Sequence, residues 1–136
     1  MSESTLVRWR GPLSNAELAE LDVAPGDGES NRWDRIRTHS LGWVTARTDD
    51  GTLVGFLNVA WDGGAHAFLL DTTTRDSHQR RGVATKPVEV AVHEAERAGC
   101  EWVHVDFPED LGPFYFDACG FRPTPAGLIH LPNPEA

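Results

Sequence analysis

Residues 78–99 read HQRRGVATKPVEVAVHEAERAG, a short basic loop followed by the longest periodic stretch of the chain. From position 82 to position 98, small and apolar residues recur every three or four places, which is the spacing of one face of an α-helix. That face carries Val83, Pro87, Val90, Ala91, Ala95 and Ala98, and Gly99 follows where a helix commonly ends. The stretch therefore predicts a helix over residues 82–98 with one buried side.

Pro87 complicates the start of this helix. A proline lacks a backbone N–H, and within a helix its ring collides with the carbonyl group four residues earlier. If the N-cap is Ala84 or a later residue, Pro87 falls in the first turn and no helical hydrogen bond is lost. If the helix starts near Gly82, one bond is missing and the first turn is distorted. We expect the second arrangement, with a local distortion over residues 83–87.

Shorter patterns on both sides of this helix predict alternating strands and helices. Ser14 and Glu17 have capping-box spacing, which places a short helix after position 14. Further helices are predicted over residues 31–40 and 110–120, and strands over 5–9, 42–47, 53–61, 65–74, 101–107, 121–124 and 126–131. This order predicts a single α/β domain over residues 1–136, with a mixed, mostly antiparallel sheet, one parallel crossover and flanking helices.

Composition excludes several classes of protein. The net charge is −9, with twelve basic and twenty-one acidic residues, which argues against a general nucleic-acid binder. No apolar run approaches the roughly 18 residues of a membrane span, and no signal-peptide pattern opens the sequence, so we expect a cytoplasmic protein without a membrane partner. Cys100 and Cys119 form no CxxC pair, and the histidines share no ligand spacing, so no metal is predicted.

The loop before the predicted helix combines features of an anion site. The first amides of a helix lack intrahelical acceptors, and the helix dipole favours negative charge at this end. Gly82 permits close approach of the backbone, and Arg80 and Arg81 supply guanidinium groups for a phosphate. On spacing alone, an ordinary turn before a helix explains the same residues.

Two motifs together resemble the GCN5-related N-acetyltransferase (GNAT) superfamily. The run Gln79–Ala84 (QRRGVA) resembles the acyl-CoA loop of that family, Q/R-x-x-G-x-G/A. The run Phe114–Phe121 (FYFDACGF) resembles its second signature, a tyrosine four residues before a small residue and then Gly-Phe. The motifs lie in the family's order, with a helix and a strand between them. The resemblance implies a GNAT-type sheet with a central parallel splay, acetyl-CoA as co-substrate, a small-molecule or peptide amine as acceptor and a possible homodimer.

The resemblance also implies roles for individual residues. The loop residues Gln79, Arg80, Arg81, Gly82, Val83, Ala84 and Thr85 would hold the pyrophosphate. The backbone of Thr72, Thr73 and Thr74 would pair with the pantetheine arm, with Thr74 where the family usually has valine. Tyr115 would protonate the departing thiolate, since a phenol is a reasonable donor to that leaving group. The alternative is that Tyr115 is a packed aromatic residue on a short helix.

An amine is protonated at neutral pH, so direct attack in a ternary complex needs a proton acceptor. Asp71 and Asp106 are candidates because acidic residues are unusual within apolar strands. Strand alternation places Asp71 with Leu69 and Thr73, and Asp106 with Trp102 and His104. Either carboxylate could instead bind a backbone N–H or an arginine.

The first two helices and nearby strands form the acceptor pocket in the family. Trp33, His39, Trp43 and Trp61 are therefore candidates to line it, although each tryptophan also suits a hydrophobic core. The leading hypothesis is an acetyl-CoA-dependent N-acetyltransferase. The alternative is a GNAT-fold module that binds CoA or another ligand without turnover. A P-loop NTPase is excluded because no GKS or GKT follows the glycine.

Overall fold

A five-stranded mixed sheet forms the centre of the part of the chain that the structure describes. The structure is a computed structural model, and it describes residues 5–21, 32–75 and 84–132. Its elements are β1 (Thr5–Trp9), α1 (Asn15–Glu20), α2 (Arg32–Arg37), β2 (Ser40–Thr48), β3 (Leu53–Trp61), β4 (His66–Thr74), α3 (Thr85–Arg97) and β5 (Trp102–Val105). A 3₁₀ turn (Glu109–Leu111) and a π-helical segment (Pro113–Ala118) follow.

The sheet has the order β1-β2-β3-β4-β5. The first four strands are joined as antiparallel neighbours, and β5 lies parallel to β4 after the α3 crossover. The predicted fold class, a mixed and mostly antiparallel sheet with one parallel crossover, is confirmed. The predicted capping box is present as well: Ser14 and Glu17 bond each other's backbone at the start of α1.

Helices cover both faces of the sheet. On one face α3 buries Val88, Ala91 and Ala95 against apolar residues of the central strands (Val44, Leu57, Val59, Ala67 and Leu69). On the other face α1 and α2 form a second cluster with β3, made of Leu18, Leu21, Trp33, Leu53 and Phe56. Burial of both faces of β3 fits its nearly continuous apolar sequence, LVGFLNVAW.

The start of α3 differs from the expected one. The helix begins at Thr85 with Ala84 as N-cap, so the expected start near Gly82 is wrong. Pro87 is then the third helical residue, where a backbone N–H has no intrahelical acceptor. The first bond of the helix runs from Val88 N–H to the Ala84 carbonyl group, at 3.4 Å. Pro87 therefore costs no hydrogen bond, which is the physical reason for the later start.

The segment after β5 also differs from the one predicted from the sequence. The predicted helix over residues 110–120 consists of the 3₁₀ turn and the π-helical segment, and Gly120 follows with a φ of +82°. The strands predicted over residues 121–124 and 126–131 are absent, because residues 121–132 form neither helix nor strand. A strand requires a hydrogen-bonded neighbour, and the sheet of the described chain ends at β5. No helix in the described ranges is long and apolar enough to cross a bilayer.

Candidate active site

The two parallel strands diverge near the middle of β4. Their register runs from His66 beside Trp102 to Leu69 beside Val105, where β5 ends. β4 continues to Thr74 and remains paired with β3. Pairing between the two strands therefore ends at their carboxyl ends, which is the usual place for a ligand in an open sheet with parallel strands, and we call this place the cleft.

A β-bulge in β4 lies at this divergence. Leu70 is the partner of Asn58 and Thr73 is the partner of Phe56, so β4 has one more residue than β3 between the two pairs. Asp71 lies in the bulge with a φ of 58°, an uncommon value for a residue other than glycine. The bulge breaks the alternation that placed Asp71 with Leu69: Leu69 is buried, whereas Asp71 is exposed. That expectation of a shared face was therefore wrong.

Tyr115 lies beside the same cleft. It is the third residue of the π-helical segment, and only 4% of it is exposed. Its ring stacks on Phe107 with centroids 4.5 Å apart and makes edge contacts with Phe114 and Phe121. A side-chain hydrogen bond joins Tyr115 to Thr72, on the part of β4 that has diverged from β5. The aromatic packing therefore fixes the phenol against one wall of the cleft.

The surroundings of Tyr115 keep its proton in place. Burial raises the pKa of Tyr115 above its ordinary value of 10, the hydrogen bond with Thr72 opposes this in part, and the charges of Cys119 and Asp106 raise the pKa further. The phenol is therefore protonated throughout the neutral range. A buried, protonated hydroxyl beside a cleft is a suitable proton donor to an anionic leaving group.

The two candidate carboxylates are both accessible to solvent. Asp106 follows β5 and is exposed, as are Trp102 and His104 on the same strand, which matches the expected alternation. Asp106 is close enough for its charge to act on Tyr115. Asp71 lies across the cleft on the bulge, where its carbonyl group accepts a hydrogen bond from the Thr73 hydroxyl at 3.0 Å.

The N-terminus of α3 is the described part of the predicted anion site. Ala84 supplies no side-chain cap, the first turn contains no acidic residue, and Thr85 begins the helix. The amides of this turn are therefore not capped by a side chain of the N-cap residue. Gln79, Arg80, Arg81, Gly82 and Val83 lie outside the described residues, and so does most of the predicted phosphate loop.

The tryptophans occupy different environments. Trp33 is 1% exposed and packs edge-on against Trp43 and Phe56, with centroid distances of 4.9 and 5.4 Å, so it belongs to the core. Trp43 is half-buried, and its indole N–H donates to the Gly11 carbonyl group at 2.8 Å. Local sequence gives no indication of this cluster, because it joins a helix to two strands.

The other two candidates for the acceptor pocket lie away from that cluster. Trp61 is opposite Ala67, five residues before Thr72 along β4, which corresponds to roughly 16 Å of extended strand. Its indole N–H donates to the Gly64 carbonyl group at 2.9 Å. His39 is exposed immediately after α2. The structure therefore does not bring these two residues together with Tyr115.

A histidine pair on the two parallel strands was not predicted. Nδ1 of His66 lies 2.7 Å from Nε2 of His104, and the ring of Phe68 stacks on His104 with centroids 4.6 Å apart. The pair arises from the parallel register of β4 and β5, which the sequence alone did not supply. Among the residues that the structure describes, no three histidine, cysteine or acidic side chains are grouped to hold a metal ion.

The sheet with its diverging parallel strands, the buried tyrosine and the uncapped helix define an acyltransferase type of fold. The model of the acetyltransferase (GNAT) family matches residues 9–121, and the chain belongs to this family. Comparison with the curated proteins gave no match.

Solved structures of acetyltransferases are similar over nearly the whole chain. A GNAT-family acetyltransferase of Streptococcus pneumoniae has a TM-score of 0.77 and 19% identity, covering 95% of this chain and 98% of that chain. Glucosamine-6-phosphate N-acetyltransferase of Arabidopsis thaliana has a TM-score of 0.76 and 15% identity, covering 95% and 99%. An aminoglycoside N-acetyltransferase in complex with CoA has a TM-score of 0.72 and 18% identity, covering 97% of both chains. At these identities the likeness is one of fold.

Proposed function

We propose that the protein transfers an acetyl group from acetyl-CoA to a primary amine of a small molecule or peptide, by direct attack within a ternary complex. Family membership supports the class of reaction. The observation that carries the proposal is the position of Tyr115, buried and hydrogen-bonded to Thr72 where β4 leaves β5.

The described residues fit acetyl-CoA as co-substrate. The first turn of α3 offers amide donors with no side-chain cap and contains no acidic residue, which suits a pyrophosphate. Residues 72–74 are half-buried where β4 passes the end of β5, which suits main-chain pairing with an extended amide arm. In this proposal Ala84 and Thr85 complete a phosphate site with the loop 79–83.

The reaction needs proton transfers at nitrogen and at sulfur. A carboxylate removes one proton from the ammonium group, and the free amine forms a bond to the acetyl carbonyl carbon. The nitrogen of this adduct still carries one proton more than the amide product, and it releases that proton to solvent. The carbon–sulfur bond breaks, and the thiolate takes the proton of Tyr115. The phenolate that remains recovers a proton from solvent. Since burial raises the pKa of Tyr115, the phenolate is a strong enough base for this last step.

Both carboxylates are accessible, and Asp106 is the better candidate for the proton acceptor because its charge acts on Tyr115. Asp106→Asn should lower kcat/KM by roughly 10- to 1000-fold at pH 7, the size of a general-base contribution. The loss should shrink at higher pH, where the amine loses its proton without help. Asp71→Asn, on the opposite strand, is the matched variant and should change kcat/KM by less. The reverse order of effects would assign the role to Asp71, and no effect in either variant would exclude both.

The net charge of the protein favours one broad class of acceptor. With a net charge of −9, the protein favours cationic amines over acidic acceptors at the encounter stage. Two of the proteins with similar folds are an aminoglycoside and a glucosamine-6-phosphate N-acetyltransferase. We therefore place amino sugars and polyamines first in an acceptor panel, followed by amino acids and peptide N-termini.

The test is acetyl-CoA with that amine panel, with free CoA thiol as the readout. Thiol release that requires both the amine and intact Tyr115 is the expected result, and mass spectrometry should find the acetylated amine. Tight CoA binding in calorimetry with no thiol release for any amine would instead support a ligand-binding module. Absence of CoA binding would overturn both the acetyltransferase and the CoA-binding module.

A further inference from the structure

Exposed aromatic and apolar side chains lie together on the face of β4 and β5 that is opposite α3. Ala67 and Leu69 of β4 are buried against α3, so the alternating residues Phe68 and Leu70 lie on the other face. Phe68 is 37% exposed, Leu70 is 42% exposed, and Trp102 of β5 is 50% exposed. Exposed apolar side chains that are neighbours indicate a binding site more strongly than a single one does.

The rings on this face form a stack that crosses the two strands. Phe68 is the register partner of His104, and their rings lie 4.6 Å apart at an interplanar angle of 18°. The ring of His66 lies 4.9 Å from that of His104 and 6.5 Å from that of Phe68. Trp102 is the register partner of His66. We call these four residues (His66, Phe68, Trp102 and His104) the aromatic face.

The aromatic face leads directly to the candidate active site. Phe68 and His104 form the register pair just before Leu69 and Val105, and pairing of β4 with β5 ends there. Asp106 follows His104 by two residues, which corresponds to roughly 7 Å of extended strand. It is exposed, as His104 is. A ligand that contacts the ring of His104 at one end can therefore reach the carboxylate of Asp106 with the other.

The chemistry of the aromatic face distinguishes between classes of amine. Its four residues carry no carboxylate, and Nδ1 of His66 and Nε2 of His104 already lie 2.7 Å from each other. A polyamine would place its second ammonium over a surface with no negative charge, and an amino sugar would place hydroxyl groups against aromatic carbon. An aromatic ring needs no hydrogen-bond partner there and gains from stacking. The negative charge of the protein still favours a cation.

We propose that the acceptor is an arylalkylamine, whose ring stacks on the Phe68–His104 pair and whose ammonium group lies at Asp106. The separation of His104 from Asp106 suits a short alkyl chain between ring and nitrogen. In this arrangement Phe68 and His104 determine acceptor specificity. The inference rests on the proposed acetyl transfer, and it places arylalkylamines ahead of amino sugars and polyamines in the acceptor panel.

The first test compares phenylethylamine with ethylamine, which is the same amine without the ring. In the wild-type protein kcat/KM should be roughly 10- to 200-fold higher for phenylethylamine, the range expected for added apolar contact in a binding site. It should also exceed the values for spermidine and glucosamine. Equal kcat/KM for phenylethylamine and ethylamine, or a higher value for spermidine or glucosamine, would overturn the inference.

Two variants of His104 separate stacking from the chemistry of the imidazole. His104→Ala removes the ring and should lose most of the preference for phenylethylamine. His104→Phe keeps a flat ring and loses the contact between imidazole nitrogens, so it should retain the preference. Equal loss in both variants would contradict stacking. Leu6→Ala is the control, since Leu6 is exposed on the opposite edge strand, and its kinetics should match those of the wild type.

Calorimetry with phenylethylamine and the CoA-saturated protein gives a readout that needs no turnover. The amine should bind to the wild type and to His104→Phe, and at least 10-fold more weakly to His104→Ala. Such binding without acetylation would keep the aromatic face as an amine site and refute the acetyl transfer. Acetylation of other amines, with neither binding nor turnover of phenylethylamine, would overturn this inference alone. A second copy as the occupant would show as a solution mass that falls in His104→Ala without any amine binding, which would also overturn it.

Discussion

Replacing Tyr115 with phenylalanine removes one hydroxyl group and leaves the packing of the ring in place. The aromatic ring still stacks on Phe107 at 4.5 Å and keeps its edge contacts. The lost hydrogen bond with Thr72 costs about 1 kcal/mol of folding free energy. This is small against the roughly 5–15 kcal/mol that stabilises a domain. Tyr115→Phe should therefore fold normally at 25 °C.

The effect on catalysis should be larger. Loss of a general acid should lower kcat by roughly 10- to 1000-fold, which corresponds to about 1.4–4 kcal/mol of activation free energy. KM for acetyl-CoA should change little, because the phenol acts on the thiolate only as it departs. The raised pKa of Tyr115 means that its proton is lost only above about pH 10. A fall in wild-type activity between pH 7 and 9 must therefore have another origin.

Thr72→Val is the control that separates a chemical role from a structural one. It removes the same hydrogen bond from the opposite end and leaves the phenol in place. If the hydrogen bond matters only for structure, Thr72→Val and Tyr115→Phe should lose similar activity. If the phenol is the acid, Thr72→Val should lose much less. Single-turnover rates in rapid-quench experiments isolate the chemical step, and equal single-turnover rates for Tyr115→Phe and wild type would refute the assignment.

Two further predictions concern stability. Glu17 accepts a hydrogen bond from Arg47 at 2.6 Å, and this bond holds the pKa of Glu17 below the ordinary 4.5. The bond therefore stabilises the fold fully above pH 4.5, and this stabilisation is lost as the pH falls through the lowered pKa. Glu17→Gln should lower the free energy of unfolding by about 0.5–1 kcal/mol at pH 7, and urea titrations should show the difference shrinking as the pH is lowered below 4.5. Gly42→Ala should be destabilised by about 1–3 kcal/mol, because the added Cβ lies 2.1 Å from the Trp9 ring. Gly127→Ala, which meets nothing within 4 Å, should melt at the wild-type temperature, and equal melting of both alanine variants would contradict the close contact.

Features that depend on neighbours in the sequence were predictable. The capping box of Ser14 and Glu17 and the hairpins follow from local spacing and were found as expected, and the helix predicted over residues 82–98 was found over residues 85–97. The fold class followed from the order of these elements. The predicted start of α3 was three residues too early. Pro87 was compatible with a helix start near Gly82 or after Ala84, and only the later start keeps every helical hydrogen bond.

Features that depend on strand register were not predictable. The bulge at Asp71 results from the pairing of β4 with β3, and it leaves Asp71 exposed although alternation had placed it with the buried Leu69. The contact of His66 with His104 results from the register of two strands that are 38 residues apart. Trp33 is in the core because α2 packs on β2 and β3.

The sequence by itself determined the family, the fold class and most of the helices and strands, because motifs, caps and periodicity are properties of short stretches of chain. The tertiary structure alone decided that Tyr115 reaches Thr72, and that Asp71 lies in a bulge of β4. Those outcomes depend on contacts between segments that are distant in sequence. The free energies of such contacts depend on the register and packing of the whole sheet.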